Sequence, residues 1–392
     1  MDFNHKIEKV FFMKCRICNS SQINEVIDLG KQPLANKYPK NKKEITNEKK
    51  YSLKIIFCKK CKCSQIKKII SRKIMFEDYY YLSSVNNKLK IHFENLSKKL
   101  IKYKFVVDIG SNDGILLSRL KKRKINAVGI DPSINVGKIA NDKGLKTFIG
   151  FFDKKMVNKI LNIYQKPDLI VASSVITHLQ NPRKFANLVK NFLATNGDLI
   201  IEIEYLQNFI AKIQYERFYF DRPYYYSANS INILFKNIGM SLYDIEKINV
   251  HGGSLRFYIR NTKKCIKTNR CKKILKSELG NLNYKKFIDF KKNIVEKSLD
   301  FRSKLIKFKN QKKFVIGYGA PARVSTITNF SNIDKGLIKY IVDDSPLKQN
   351  RYSPGKHIKI VNNKHNLNKK IDIVIVFAYE YFEDIKKKFK DY

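Results

Sequence analysis

A chain of 392 residues exceeds one ordinary hydrophobic core and predicts two or three domains, with 43% hydrophobic residues available to build them. No apolar run is long enough to span a bilayer and no cationic-then-apolar leader opens the chain, so a soluble, cytoplasmic protein is expected. The formal net charge of +45 invites a nucleic-acid partner, yet only 13 of the 79 basic residues are Arg, and Lys is spread through every segment. Readers of nucleic acid concentrate charge on one face and use Arg at base edges. The charge therefore predicts attraction to anionic substrates, with no specific nucleic acid and no membrane as partner.

In chain order, the first chemical signal is Cys15 and Cys18, matched later by Cys58 and Cys61. Two pairs of thiols, each two residues apart, suit a tetrahedral zinc site with each pair on a tight knuckle. Four thiolates leave no open position for water, so the metal is expected to be structural, with Cys63 as an alternative ligand. It would staple a zinc-binding domain, placed at residues 12–75, that has few apolar residues of its own. Cys265 and Cys271 read as free thiols in a reducing compartment. Next comes F-E-D-Y-Y-Y-L-S-S, residues 76–84. Three consecutive tyrosines cannot all face a core, because alternate side chains of an extended segment point oppositely. Tyr79 and Tyr81 are candidates to overhang a neighbouring cleft and touch substrate, the alternative being a half-exposed aromatic strand.

An amphipathic helix over 86–102 leads into F-V-V-D-I-G-S-N-D-G, residues 105–114, and then A-V-G-I-D-P-S, residues 127–133. A buried strand, a glycine-marked turn, a helix from Ile115 and a second strand ending in an acid open a nucleotide-binding α/β sheet. The turn reads D-x-G-x-x-x-G, which favours S-adenosylmethionine (SAM) over a dinucleotide, since no pyrophosphate has to be cradled. Candidate cofactor contacts are Asp108, Gly110, Ser111, Asn112 and Gly114, the glycines giving room, and Asp131, placed to accept from two ribose hydroxyls. Phe151 and Phe152, after a third strand, are placed to flank an adenine. The fourth strand, from Asp168, leads to His178, a polar residue at the crevice end of a parallel strand, where an ordinary structural histidine is the alternative. The fifth ends in Glu202 and Glu204. This βα alternation predicts a doubly wound parallel sheet within a domain at 76–262.

The densest aromatic stretch, residues 215–227, interleaves tyrosines, Tyr224 among them, with Asp221 and Arg222, as a stacked and hydrogen-bonded sugar requires; an aromatic hairpin is the alternative. His251 and Arg256 bound H-G-G-S-L-R, glycines for close approach and an Arg for an anion or carbonyl. A Lys-rich helical connector over 272–310 precedes a second α/β unit within a domain at 263–392. There a strand meets a G-Y-G turn and a helix N-terminus, and Lys348 and Arg351 follow the next strand as candidates to grip a diphosphate.

The run of C-x-x-C with L-G-K-Q-P-L-A-N, the second C-x-x-C, D-Y-Y-Y-L-S-S, V-V-D-I-G-S-N-D-G, T-H-L, H-G-G-S-L-R, Y-G-A-P-A-R and V-D-D-S-P-L-K-Q-N-R-Y-S-P-G resembles the sugar C-methyltransferases that act on nucleotide-linked keto-deoxysugars. The resemblance covers the chain end to end. It implies a zinc-binding domain, a central class I SAM methyltransferase domain and a Rossmann-like C-terminal domain, serving surface-polysaccharide or deoxysugar biosynthesis. It also implies chemistry through an enolate that attacks the SAM methyl. The family's Y-H-E-H, whose Glu and second His are the acid/base pair, corresponds to Tyr219, Phe220, Asp221 and Arg222. Its A-N-N is Ala172, Ser173 and Ser174 here, changing the donors near the methionine end. Because Arg cannot lose a proton at working pH, Asp221 and His178 become the acid/base candidates, with Tyr219 assisting and Arg222 holding negative charge. O-methylation of a sugar hydroxyl, a non-catalytic nucleotide-sugar binder and a nucleic-acid methyltransferase are the alternatives.

Overall fold

The computed structural model describes residues 13–71, 83–85, 87–363 and 370–388, so Tyr79 and Tyr81 lie outside the described residues. Among those described, no helix is long and apolar enough to cross a membrane. The chain opens on β1 (Ile23–Pro33), β2 (Lys50–Cys58) and β3 (Ser64–Ile66), an antiparallel meander hung on two cysteine knuckles. In each knuckle the residue after the second cysteine, Asn19 or Lys62, takes a left-handed backbone, φ +60° or +63°. Its N–H then donates to the carbonyl of the first cysteine, Cys15 or Cys58, at 2.9 Å. These turns bring Cys15, Cys18, Cys58 and Cys61 together, all four sulfurs within 4.8 Å of one another. The Cys15–Cys61 and Cys18–Cys58 sulfurs are each 3.6 Å apart, close to the ~3.8 Å edge of a tetrahedron with Zn–S bonds of about 2.3 Å. Cys63 is not in the set: its thiol donates to the Ser64 and Tyr225 carbonyls at 3.3 and 3.4 Å.

The chain continues through β4 (Phe105–Ile109), β5 (Asn126–Asp131), β6 (Thr147–Ile149), β7 (Leu169–Ser173), β8 (Asp198–Glu204), β9 (Tyr224–Tyr225), β10 (Ser241–Ile248) and β11 (Ser254–Arg260). All but β9 form one sheet, in the order β10-β11-β8-β7-β4-β5-β6. From β6 to β8 it is parallel, and β11 runs antiparallel to both its neighbours. Every residue of β4 and β8 is buried, as strands covered on both faces must be. Val106, Leu169 and Val171 pack on the helices Asn87–Lys99 and Ile115–Lys122. Phe105, Val107 and Ile170 face the core of helices Pro182–Phe192 and Ala228–Lys236. Chain order reverses on either side of β4, which opens a crevice beyond Ile109 and Ser173.

The aromatic stretch is not a hairpin on this sheet. Its β9 pairs with β3, Ser64 with Tyr225 and Gln65 with Tyr224, completing the sheet β1-β2-β3-β9 of the zinc-binding domain. The connector is two helices, Asn269–Asn281 and Tyr284–Asn310, interrupted where the Asn283 side chain caps the second through Lys286 N–H at 3.0 Å. Its buried Phe287, Phe290 and Ile294 cover Leu53, Ile55 and Phe57, and the Phe57 and Phe287 rings lie 4.6 Å apart. The metal-stapled domain thus borrows its apolar cover from residues more than two hundred positions away. Finally β12 (Val315–Tyr318), β13 (Ile341–Val342), β14 (Ile360–Val361) and β15 (Ile373–Val376) make a parallel sheet in the order β14-β13-β12-β15, with its own reversal at β12.

Because the four sulfurs surround one point, metal binding should add to the folding energy of the knuckles. Elemental analysis is expected to give one zinc per chain. Its removal by a chelator should lower the thermal midpoint by about 4 °C, the equivalent of roughly 3 kcal/mol in a chain of this size; zinc-free protein with an unchanged midpoint would contradict the site.

Candidate active site

The crevice beyond β4 and β7 opens into a cavity of about 1110 Å³ lined by residues of all three domains. At one end the turn after β4 is held by Gly110, φ +73°, whose N–H donates to the Ile130 carbonyl at 2.7 Å. A Cβ there would stand 2.4 Å from Val175 Cγ2, so only glycine fits. The Asp131 carboxylate, at the end of β5, accepts the Asn112 and Ser133 backbone N–H groups, both at 2.9 Å. Asp108, Gly110, Ser111, Asn112, Asp131, Phe151, Phe152 and Ser173, all expected as cofactor contacts, line this end. Gly114 does not. Its left-handed φ of +80° starts the helix Ile115–Lys122, and the space a Cβ would need is filled by Leu145. It gives packing room, not ligand room.

Burial raises the Asp108 carboxyl well above the usual carboxylate range, and the charges of Asp131 and Glu202 add to this; burial raises Asp131 as well. Two acids brought together without a cation between them form a site short of positive charge. SAM carries an ammonium and a sulfonium, charges of the sign such a site would accept, and Phe151 and Phe152 lie on the same lining.

The other end is built from the segment between β8 and β9. Asp221 is 2% exposed, and burial raises its pKa to about 6 although the Asn36 amide donates to its Oδ2. His178, in a single helical turn after β7, donates Nδ1–H to the Asp221 carbonyl at 2.5 Å, which fixes both the imidazole and the backbone carrying the carboxylate. The Tyr219 phenol is raised well above its ordinary value by burial and then by Asp221. Arg222 pairs with Glu204 and lies 5.3 Å over the Tyr219 ring. Glu204 also pairs with Arg217 at 2.8 Å, Arg217 with Glu380, and Glu380 with Arg323 at 2.5 Å. This alternating chain runs from β8 to the C-terminal domain along the cavity wall. His251, φ +51°, lines the same wall, and burial with the nearby Arg222 charge lowers it to about 4, so it is neutral at neutral pH.

Sequence reasoning placed three further side chains at substrate, and the fold puts them elsewhere. Arg256 sits opposite Glu202 across β11 and β8 and is 3% exposed, bonded to Glu202 at 2.6 Å and Glu246 at 3.0 Å. Burial alone would raise Glu202, but His92 and Arg256 hold it at about 2; it also accepts Ser173 Oγ–H at 2.9 Å. Tyr224 is buried, with its hydroxyl donating to the Gln180 carbonyl at 2.9 Å. Arg351 donates to the Tyr38 carbonyl at 3.3 Å, off the cavity lining. Lys348 does line the cavity, near Asp343 at 3.7 Å. Conversely, Asn36, His92, Arg217, Arg323 and Glu380 line the cavity without having been anticipated. Asn36 and Arg323 carried a signal, as the last residues of L-G-K-Q-P-L-A-N and Y-G-A-P-A-R.

Replacing Asp131 by Ala should weaken SAM binding at least tenfold by calorimetry in a folded protein. Gly114→Ala should instead destabilise the fold by about 1–2 kcal/mol, from the left-handed backbone, and leave SAM affinity within a few-fold. The reverse pattern would contradict the placement of the cofactor.

Three family models match consecutive parts of the chain: a zinc binding domain over residues 15–76, a methyltransferase domain over 81–244 and a C-methyltransferase C-terminal domain over 249–392. The chain is similar to C-methyltransferase NovU of Streptomyces niveus, 22% identical over 391 residues, 97% of this chain and 92% of that protein. Two solved methyltransferases each cover less than half of it. A SAM-dependent methyltransferase from Thermotoga maritima is 17% identical, covering 45% of this chain and 89% of that one with a TM-score of 0.35. Magnesium protoporphyrin IX methyltransferase from Synechocystis PCC 6803, with bound SAH, is 15% identical, covering 46% and 90% with a TM-score of 0.36. With its four-cysteine zinc site, SAM methyltransferase sheet and second α/β domain, the chain belongs to the zinc-binding, SAM-dependent C-methyltransferases.

Proposed function

We propose that the enzyme methylates carbon on a nucleotide-linked keto-deoxysugar, with Asp221 removing the proton next to the ketone. The observation that carries this reading is a buried carboxylate, poised at about 6, on the same cavity as the SAM loop. Pockets for a single small ligand span roughly 300–1,000 Å³, and a cavity of about 1110 Å³ exceeds that range, as a site for donor and acceptor together should.

A ketone acidifies the neighbouring C–H, and an enzyme exploiting this needs a base, a means of holding the enolate's charge and a dry approach. Asp221 is mostly ionised at neutral pH, yet burial keeps it more basic than a solvated carboxylate. Beside it Arg222, fixed by Glu204, places positive charge for the enolate oxygen, and His178 and Tyr219 complete the wall. SAM, when bound, supplies the methyl group as an electrophilic sulfonium. The diphosphate is assigned to Lys348 and the turn after β12, where Gly319 has φ +81°. A product of this kind fits deoxysugar or surface-polysaccharide assembly.

The proton abstraction is measurable without methyl transfer. In D2O, with SAM replaced by its demethylated product, a 4-keto-deoxysugar nucleotide should gain deuterium at the adjacent carbon. Asp221→Asn should slow that exchange by 10²–10⁴-fold, and no exchange in the wild type would contradict the enolate route. Because the base must be deprotonated, turnover should fall tenfold per unit as pH drops below about 6 and level off above it. An acid limb unchanged in position would point to another base.

A further inference from the structure

We infer that Asn36, supplied by the zinc-binding domain, is a positioning residue for the Asp221 carboxylate. This rests on the reading of Asp221 as the base. A carboxylate can present either oxygen and can spin about its last torsion. The Asn36 amide engages Oδ2, with the residue's own backbone N–H as a further donor to the carboxylate, and Oδ1 is the oxygen assigned to take the substrate proton.

The placement of Asn36 is itself determined by two domains. It lies three residues past the end of β1, in a segment whose Leu34, Ala35 and Tyr38 are buried. The C-terminal domain clamps that segment from the far side. The Tyr38 hydroxyl donates to the Ala320 carbonyl at 2.8 Å, Tyr352 N–H donates to the Pro39 carbonyl at 2.9 Å, and the Lys348 ammonium stands 5.7 Å over the Tyr38 ring. Meanwhile His178 anchors the Asp221 backbone from the methyltransferase domain. Donor and acceptor of the Asn36–Asp221 bond are therefore each fixed from behind, and the bond transmits that rigidity to the carboxylate.

The chemistry of the donor matters too. A neutral amide favours the charged carboxylate only modestly, whereas a Lys or Arg bonded to it would hold it far too acidic to act as a base. Other titratable or charged groups facing Asp221 are Tyr38 on the same segment as Asn36, His178 after β7, Tyr219 and Arg222 on its own segment, and Tyr225 on β9. At neutral pH the phenols are uncharged. Arg222 is engaged by Glu204, so the amide is a direct influence on the Oδ2 side.

The test is the pH profile of turnover for Asn36→Ala and Asn36→Asp, alongside Asp221→Asn. Losing the amide removes a stabiliser of the charged base, so Asn36→Ala should move the acid limb up by about half to one pH unit and lower the plateau about tenfold. Asn36→Asp places two carboxylates together and should move the limb up further. SAM affinity, zinc content and the thermal midpoint should stay near wild type, which a merely structural role would not predict. If Asn36→Ala fails to fold, Asn36→Ser serves in its place with the same expected direction. An unchanged limb and plateau in folded Asn36 variants, with Asp221→Asn inactive, would overturn this inference alone. Wild-type turnover in Asp221→Asn would overturn the assignment of the base and this inference with it.

Discussion

Taking a carboxylate out of water costs several kcal/mol unless hydrogen bonds or opposite charge compensate it. At Asp221 the compensation is partial, and it is assembled from distant parts of the chain. An amide arrives from the zinc-binding domain, an imidazole from the end of a strand in the methyltransferase domain holds the local backbone, and the C-terminal domain secures the segment carrying the amide. The partial character is what leaves the group near 6. Full compensation would return it to an ordinary acid, and none would leave it protonated at neutral pH. The segments that meet around Asp221 come from all three domains.

The zinc ion belongs to the same logic at one remove. Its four thiolates fix two knuckles, the knuckles fix the meander, and β9 joins the meander to the segment that carries Tyr219, Asp221 and Arg222. A structural metal thus lies two hydrogen-bonded strands away from the cavity. Charge is managed with equal economy along the wall. Arg222 stands where the resemblance leads one to look for a histidine, and a lone guanidinium there would be costly to bury. Glu204 answers it, Arg217 shares Glu204, and Glu380 links Arg217 to Arg323. Removing Glu204 would strand the charge of Arg222, and removing Glu380 that of Arg323.

Much of this was legible in the residues. The C-x-x-C pairs, the D-x-G-x-x-x-G turn and the continuously apolar strands have local signatures, because each depends on neighbours a few positions away. The polar side chains at crevice ends, His178 and Asp131, followed from topology alone. What stayed hidden depends on contacts across the chain. Arg256 looked like a ligand for an anion, but cross-strand pairing supplied the anion from within, at Glu202. The tyrosines at 224 and 225 look like a stacking platform until β3 is seen to lie beside them. Glu380 and Asn36 reach the cavity from residues near opposite ends of the chain, and no periodicity announces that meeting. Gly114 shows the reverse case: the motif was read correctly and its glycine given the wrong reason, since Leu145, not a ligand, occupies the space.

The central claim is that the cavity directs the methyl group to carbon. It is tested most directly by turnover of nucleotide-linked keto-deoxysugars with SAM carrying a 13C-labelled methyl group, followed by proton–carbon correlation NMR of the product. The account predicts that the label appears as a methyl bonded to a sugar ring carbon next to the ketone. A label in the methoxy region, marking transfer to oxygen, would contradict it.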